Sequence, residues 1–542
     1  MPGRWIRQAW AAGAQAVVTP LLAPRLSTAT DADECLAIAE CAEALGQVDL
    51  QVQALNRALA FDRNCSSALV TLAALAFERN DLLNTSVYLE ETARVAPLPV
   101  EVEPLRQELF AQVSAGGELA PYFRVIGRQP VPQSSLPRKI LIVTNLFPPQ
   151  ELGGYGRMMW EFAHGLIARG HTVRILAADL PELAKTPTAD ETAMETQVVR
   201  TLRTVGTWSE GRPVLLQDRR EIVSRLRDNA ARLRTTVRKF GADFVLMGNI
   251  DFLGANLINE ALALGLPVLH ALANAQPGYQ PGELPPSLRY WVAPCSDWNG
   301  AALRSGGFYP PRVETVYPGA RVDRFFRFFM PDNSRLRICY ASLVLPYKGV
   351  HVLLQALIQL DRAGIDFTAE IAGDCPDPAF GEQLRETVRQ HELGSKVQFT
   401  GFLDRTGLAA LFARHNVLVF PSQFPEPFGI SQVEAMASGL AVVSSGTGGA
   451  KEIIRDDVDG LLFKADSPND LAEKLYSLVR DPERMARLQK SAQARAVEFS
   501  VDNSALRIEQ LMEEMIVTVD PFASSDLEDQ PAACTAPDFS AV

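Results

Sequence analysis

Two glutamates eight positions apart, Glu426 and Glu434, sit in the run Pro421-Ser-Gln-Phe-Pro-Glu-Pro-Phe-Gly-Ile-Ser-Gln-Val-Glu-Ala-Met-Ala-Ser-Gly439. Carboxylates accept hydrogen bonds from hydroxyls, so a pair in one crevice suits a polyhydroxylated ligand. Phe428, Gly429 and Ile430 lie between them, and the N–H groups around Gly429 and Ile430 suit a phosphate. Gly153 and Gly154 form a second glycine-rich turn that lets backbone approach a phosphate.

The neighbouring elements must bring these residues together. Residues 417–420 are an apolar run and predict a buried strand. Two prolines then force a loop. Gly429 opens a helical segment that stops at Gly439. Strand, loop and helix start is where an open parallel sheet binds ligands. Residues 139–144 predict a strand, succeeded by the Gly153-Gly154 turn, an amphipathic helix to Gly170 and a strand over 171–176. That is a βαβ unit with its glycines at the first switch. It contains no GxGxxG, which disfavours a nicotinamide or flavin role.

A chain of 542 residues is too long for one core, so two or three domains are expected. Apolar residues are 47 % and charged ones 21 %, the balance of a globular chain. A net charge of −12 argues against nucleic acid as the main partner. The seven cysteines form no CxxC pair and no Cys/His cluster, which reads as reduced core thiols in a cytosolic protein. The six histidines are scattered, so no metal site is expected. The apolar part of residues 1–24 is short and interrupted, and reads as a packing helix rather than a targeting signal.

From Asp31 the chain is rich in alanine and leucine with helical periodicity. An offset of 34 residues aligns Ala39 with Ala73, Ala42 with Ala76 and Gly46 with Asn80. Gly46 and Asn80 each fall between two helical runs, where a tight turn belongs. The period is that of tetratricopeptide repeats, with a generic helical hairpin array as the alternative. Either predicts docking or self-association through a concave face. Two repeats are few enough that the region should also pack on the domain C-terminal to it. The expected division is an N-terminal helical segment 1–27, a tetratricopeptide-like region 28–118, a linker 119–137, α/β domains 138–330 and 331–516, and a disordered acidic tail 517–542.

The Glu426–Glu434 segment, with Ala-Met-Ala-x-Gly directly after it, resembles the signature of retaining GT-B glycosyltransferases of family 4. Ala341–Gly349 is similar to the family's loop with an arginine and a lysine, and residues 446–452 to its Gly-Gly-x-x-Glu turn. The resemblance implies an α/β fold of two Rossmann-like domains facing a cleft. It implies transfer of a sugar, of hexosyl type, from a nucleotide-sugar to a glycan, lipid-linked or protein acceptor, with retention and without a metal or other cofactor. In it Glu434 takes the ribose, Glu426 the donor sugar, Lys348 the diphosphate, and Thr400 and Gly401 lie where the nucleobase pocket forms. Residues 296–299 resemble a helix start capped by Ser296. Polysaccharide, glycolipid or glycoprotein synthesis in the cytoplasm is the implied setting.

Two departures stand out. The family's arginine falls at Leu343, with Arg157 a conceivable substitute. The family's histidine falls near Ala273, so His270 is a catalytic candidate only by a slip of register, and a core histidine is the competing reading. These departures keep open a catalytically degenerate scaffold. A phosphorylase or epimerase on the same fold would need a pyridoxal lysine or a paired acid and base, and neither is evident. A basic amphipathic helix between Asp218 and Lys239 is read as a solvated face, with peripheral contact at the inner membrane as the alternative.

Overall fold

The computed structural model describes residues 2–115, 133–151, 153–209, 212–274 and 276–517. Most of the expected linker and nearly all of the expected acidic tail lie outside them. Two all-parallel sheets carry the molecule. The first runs β1 (Lys139–Thr144), β2 (Thr172–Ala178), β3 (Val198–Leu202), then, past an antiparallel hairpin of β4 (Gly206–Ser209) and β5 (Arg212–Leu215), β6 (Phe244–Met247), β7 (Val268–Leu272), β8 (Tyr290–Pro294) and β9 (Arg312–Val313). Its spatial order is β3-β2-β1-β6-β7-β8-β9. The second comprises β10 (Leu336–Ala341), β11 (Phe367–Ala372), β12 (Val397–Gly401), β13 (Val417–Phe420), β14 (Ala441–Ser444) and β15 (Leu461–Leu462), in the order β12-β11-β10-β13-β14-β15. Both orders reverse beside their first strand, which opens a crevice at the strand ends. The α/β fold with two Rossmann-like domains is as expected.

Parallel strands are covered on both faces, so they read as unbroken apolar runs. All of β6, β7, β8, β13 and β14 is buried. The last helix, Val501–Ile516, crosses back and packs on helix Tyr155–Ala168 of the first α/β domain. A Cβ on Gly165 would sit 2.8 Å from Ala505 Cβ, so a glycine lets the two helices meet. The β4–β5 hairpin is an addition that the apolar patterning does not predict.

The N-terminal region forms the helical hairpins Ala32–Ala44 with Val48–Phe61 and Ser66–Glu78 with Leu82–Val95. Gly46 and Asn80, the aligned turn residues, are both left-handed, with φ of 66° and 57°. The region is fastened to the second α/β domain. Arg63 is fully buried and donates from Nε to Ala413 O at 3.1 Å and from Nη2 to Phe412 O at 2.7 Å. Its Nη1 donates to Ser438 O. One guanidinium thus caps the carbonyl ends of helices Arg405–Arg414 and Ile430–Ala437, where a cation is favoured. Burial without a carboxylate partner pulls Arg63 down to about 9. Tyr88 stacks on Phe329, and Arg57 pairs with Asp332 at 2.7 Å. Among the described residues no helix is long and apolar enough to cross a membrane.

Candidate active site

Glu426 is held by its backbone before its side chain does anything. It forms a parallel bridge with Gly448, and Gly449 N donates to its carbonyl at 2.7 Å. The next carbonyl, Pro427 O, accepts from Ser296 Oγ of the first α/β domain at 2.7 Å. Ser296 also caps helix Asp297–Ser305, as expected. Glu452 completes the clamp: its carboxylate accepts from Trp298 N at 2.7 Å and Asp297 N at 3.0 Å. The loop that carries Glu426 is therefore fixed between the two domains.

The Glu426 carboxylate receives two donors on one oxygen. Lys348 Nζ and Ser422 Oγ are each 2.5 Å from Oε1. Lys348 ends a single 3-10 turn, Pro346–Lys348, and the next residue, Gly349, has φ of 77°. A Cβ on Gly349 would fall 1.9 Å from Pro421 O, so only glycine lets the lysine loop lie against the Glu426 loop. Gly429, at φ 98°, is the N-cap of helix Ile430–Ala437, whose first N–H groups open beside Phe428. The chain thus pairs a cation with a carboxylate on the loop that leads into a helix N-terminus.

Glu434 lies on the same helix and is 1 % exposed. Arg405 Nη2 is 2.6 Å from its Oε1. The approach is off the hydrogen-bonding line, so that oxygen has an ion-pair partner but no aligned donor. Burial raises the Glu434 carboxyl, and Arg405 opposes the rise. Arg405 begins helix Arg405–Arg414 and lies over the Phe325 ring, 5.2 Å from its centroid. Gln432, in the first turn of the Glu434 helix, is fully buried with neither amide atom paired. Neither Arg405 nor Gln432 is legible as a site residue in the sequence, because each is polar at a place that reads only as helix.

The facing domain contributes Gly153 and Gly154, where helix Tyr155–Ala168 begins. Polar atoms without partners cluster around the carboxyl ends of that sheet: Asn145 Oδ1 after β1, Glu151 Oε2 before the glycines and Asn274 Oδ1 after β7. Glu161, on the glycine-capped helix, is 2 % exposed with Oε2 unpaired. Burial pushes its carboxyl up to about 7, against the pull of Arg321, Arg405 and Arg157.

Thr400 and Gly401 end β12 with both residues exposed, and Thr400 Oγ1 donates to Ile371 O at 3.3 Å. Leu343 is 41 % exposed where the resembling family has its arginine. Arg157 does not replace that arginine: it is held by Glu191 at 2.5 Å and Glu151 at 3.1 Å, and lies over Trp160. His270 is a correction. It lies in the middle of β7 with no exposed surface. Its Nδ1 is 2.9 Å from Tyr290 Oη and its Nε2 3.0 Å from Gly248 O. The carbonyl can only accept, so Nε2 carries the proton and Nδ1 accepts from Tyr290. Both nitrogens are committed, and burial lowers the ring to about 3. A neutral, sealed imidazole cannot face a substrate. Ala273, at the place where a cleft histidine is sought, offers no polar side chain.

Residues 323–495 match the family of glycosyl transferases group 1. A glycogen synthase of Mycobacterium tuberculosis is 25 % identical over 385 residues, which is 66 % of this chain and 90 % of that one. A D-inositol 3-phosphate glycosyltransferase of Catenulispora acidiphila is 29 % identical over 217 residues, 37 % of this chain and 51 % of that one. A glycosyltransferase structure from Rickettsia africae superposes with a TM-score of 0.55 at 18 % identity, over 71 % of this chain and all of that one. The Anabaena protein HepE, in complex with UDP and glucose, gives 0.51 at 19 % identity, over 70 % of this chain and all of that one. The chain carries a glycosyl transferases group 1 domain on a GT-B fold.

Proposed function

We propose that the protein transfers a sugar, of hexosyl type, from a nucleotide-sugar to a hydroxyl of a glycan, lipid-linked or protein acceptor, with retention at the anomeric carbon. The observation that carries this reading is the Lys348–Glu426 pair at 2.5 Å on the loop that leads into the helix N-terminus at Gly429 and Ile430. A diphosphate is met there by an ammonium and by N–H groups, and a sugar by a fixed carboxylate. The similarity to glycogen synthase and to a UDP-binding GT-B protein supports a nucleotide-sugar donor.

Glu434, with an acceptor oxygen that lacks an aligned donor, would take the ribose hydroxyls. Phe428 packs at the base of the loop, and Thr400 and Gly401 would border the base. The acceptor would enter from the Gly153–Gly154 side, where Asn145, Glu151 and Asn274 leave hydrogen-bonding capacity unmet. In the transfer, the acceptor oxygen forms a bond to the anomeric carbon as the bond to the diphosphate oxygen breaks. The acceptor proton passes to the departing phosphate on the same face. Lys348 and the helix N–H groups stabilise the charge that develops on the leaving group, so this route assigns no step to a metal.

A second reading, a donor-binding protein without turnover, is favoured by one observation: the exposed Leu343 removes a phosphate contact. Substitution separates the two. Glu426→Gln and Lys348→Ala should each reduce sugar transfer by about a hundredfold or more while the melting temperature stays near wild type. Wild-type transfer rates in both variants would contradict the assignment. Nucleotide binding with no transfer or donor hydrolysis in the wild-type protein would favour the second reading.

A further inference from the structure

A cavity of about 740 Å³ opens on the first α/β domain between strands β2 and β3 and helix Arg219–Phe240. It is separate from the Glu426 cleft. Arg174, Arg232 and Lys239 line it, with Phe240 and a single carboxylate, Asp228. Arg232 and Lys239 have no ion pair among the described residues. Arg174 lies over the Phe240 ring and spends one N–H on Thr196 O. A second cavity, of about 440 Å³, shares Thr201 and Arg232 with the first. It lies along the edge strand β3, lined by Arg203, by Arg225, which is paired with Glu221, and by the carboxylates Asp179 and Glu182. Asp179 accepts from Gln150 at 3.2 Å, and Gln150 belongs to the loop that ends in Gly153 and Gly154. The two cavities therefore adjoin, and together they form a groove from Lys239 to Asp179, which is bonded to the loop before the glycines.

This groove is cationic on a chain whose net charge is −12. Such a local reversal of sign concentrates anions. The groove is lined by hydroxyls and guanidinium groups as well as one aromatic face, and its Asp179 is bonded to the loop on the side where the acceptor would enter. Those features suit an extended polymer better than a small ion. We propose that the groove is a second acceptor site, which holds an anionic glycan carrying carboxylate or phosphate groups while its end reaches the cleft. This rests on the transferase reading above and narrows its acceptor class.

The test is direct binding by the full chain, which does not depend on turnover. The probes are polygalacturonate, neutral dextran of matched length, and vesicles of phosphatidylglycerol with phosphatidylcholine. Polygalacturonate should bind, dextran should not, and binding should weaken as salt rises. Charge reversal at R174E/R232E/K239E should raise the Kd for polygalacturonate roughly tenfold or more. Reversal of three arginines of the same helix outside the groove, R219E/R220E/R238E, should leave it within about twofold. The milder pair R232Q/K239Q spares the Arg174–Phe240 contact, and should show the same direction if the triple variant fails to fold. Nucleotide binding at the proposed donor site should not change in any of them, and absence of nucleotide binding by the wild type would count against the transferase reading alone. Equal binding of dextran, unchanged polygalacturonate binding in R232Q/K239Q, or capture of the vesicles alone through these residues would overturn the proposal.

Discussion

Arg405 stands 2.6 Å from Glu434 and covers one oxygen of this buried carboxylate. The pair lies within the second α/β domain, on two neighbouring helices whose C-terminal carbonyls are both capped by Arg63. The position of the proposed ribose acceptor is thus tied to the N-terminal helical region through the bodies of two helices. Arg405 also pulls the Glu434 carboxyl down against the penalty of burial.

Removing that cation should expose the penalty. Burial already raises the Glu434 carboxyl, so in Arg405→Met it rises further and the protonated form gains ground at mildly acidic pH. A protonated carboxyl is a weaker acceptor for ribose hydroxyls. Nucleotide affinity in Arg405→Met should fall about tenfold at about pH 6 and recover towards about pH 9, whereas the wild type changes little. Calorimetric titration across that range checks it. A loss that does not vary with pH would mean that Arg405 contacts the nucleotide itself.

Glu161 sets a pH dependence of its own. Its carboxyl is raised from an ordinary value of 4.5 to about 7 by burial. The folded state therefore holds the proton more tightly than the unfolded chain does. The stability this contributes is full below pH 4.5 and is lost as pH rises through about 7. Glu161→Gln removes the titration. At about pH 8 its melting temperature should exceed that of the wild type by about 2–4 °C, with little difference at about pH 5. A wild-type lead at the higher pH would show that the ionised carboxylate is held favourably by Arg321, Arg405 and Arg157.

For His270 the structure predicts a stability effect without a chemical one. His270→Ala leaves Tyr290 Oη and Gly248 O without their buried partner and opens a cavity. The expected loss is about 3 kcal/mol in denaturant unfolding. Sugar transfer per folded molecule should stay within about threefold of wild type. A loss of about a hundredfold in a folded variant would return His270 to the reacting centre.

The proposed donor side of this architecture is legible because its chemistry is local in sequence. Gly349, Glu426, Gly429 and Glu434 lie within short strand–loop–helix units, where spacing alone fixes which groups meet. Gly46 and Asn80 are legible for the same reason, since a tight turn demands a left-handed residue. Arg405 and Gln432 are not, because nothing in a helical run marks which polar residue turns inward. Arg63 donates to the carbonyl of Ala413, 350 positions away, and a backbone acceptor leaves no signature in the side-chain sequence. His270 misleads because a histidine within an apolar strand reads alike whether it faces a cleft or a tyrosine in the core. The groove along β3 depends on the pairing of distant strands and cannot be read from the basic helix alone.

Whether Glu434, Glu426 and Lys348 form a nucleotide-sugar site is decided by titrating UDP-, GDP- and ADP-sugars into the wild type and into Glu434→Gln. At least one donor should bind the wild type and raise its melting temperature, and that same donor should bind Glu434→Gln about tenfold more weakly or worse. Equal affinity in the two proteins, or no binding by any of the three donor classes, would contradict a nucleotide-sugar site at these residues.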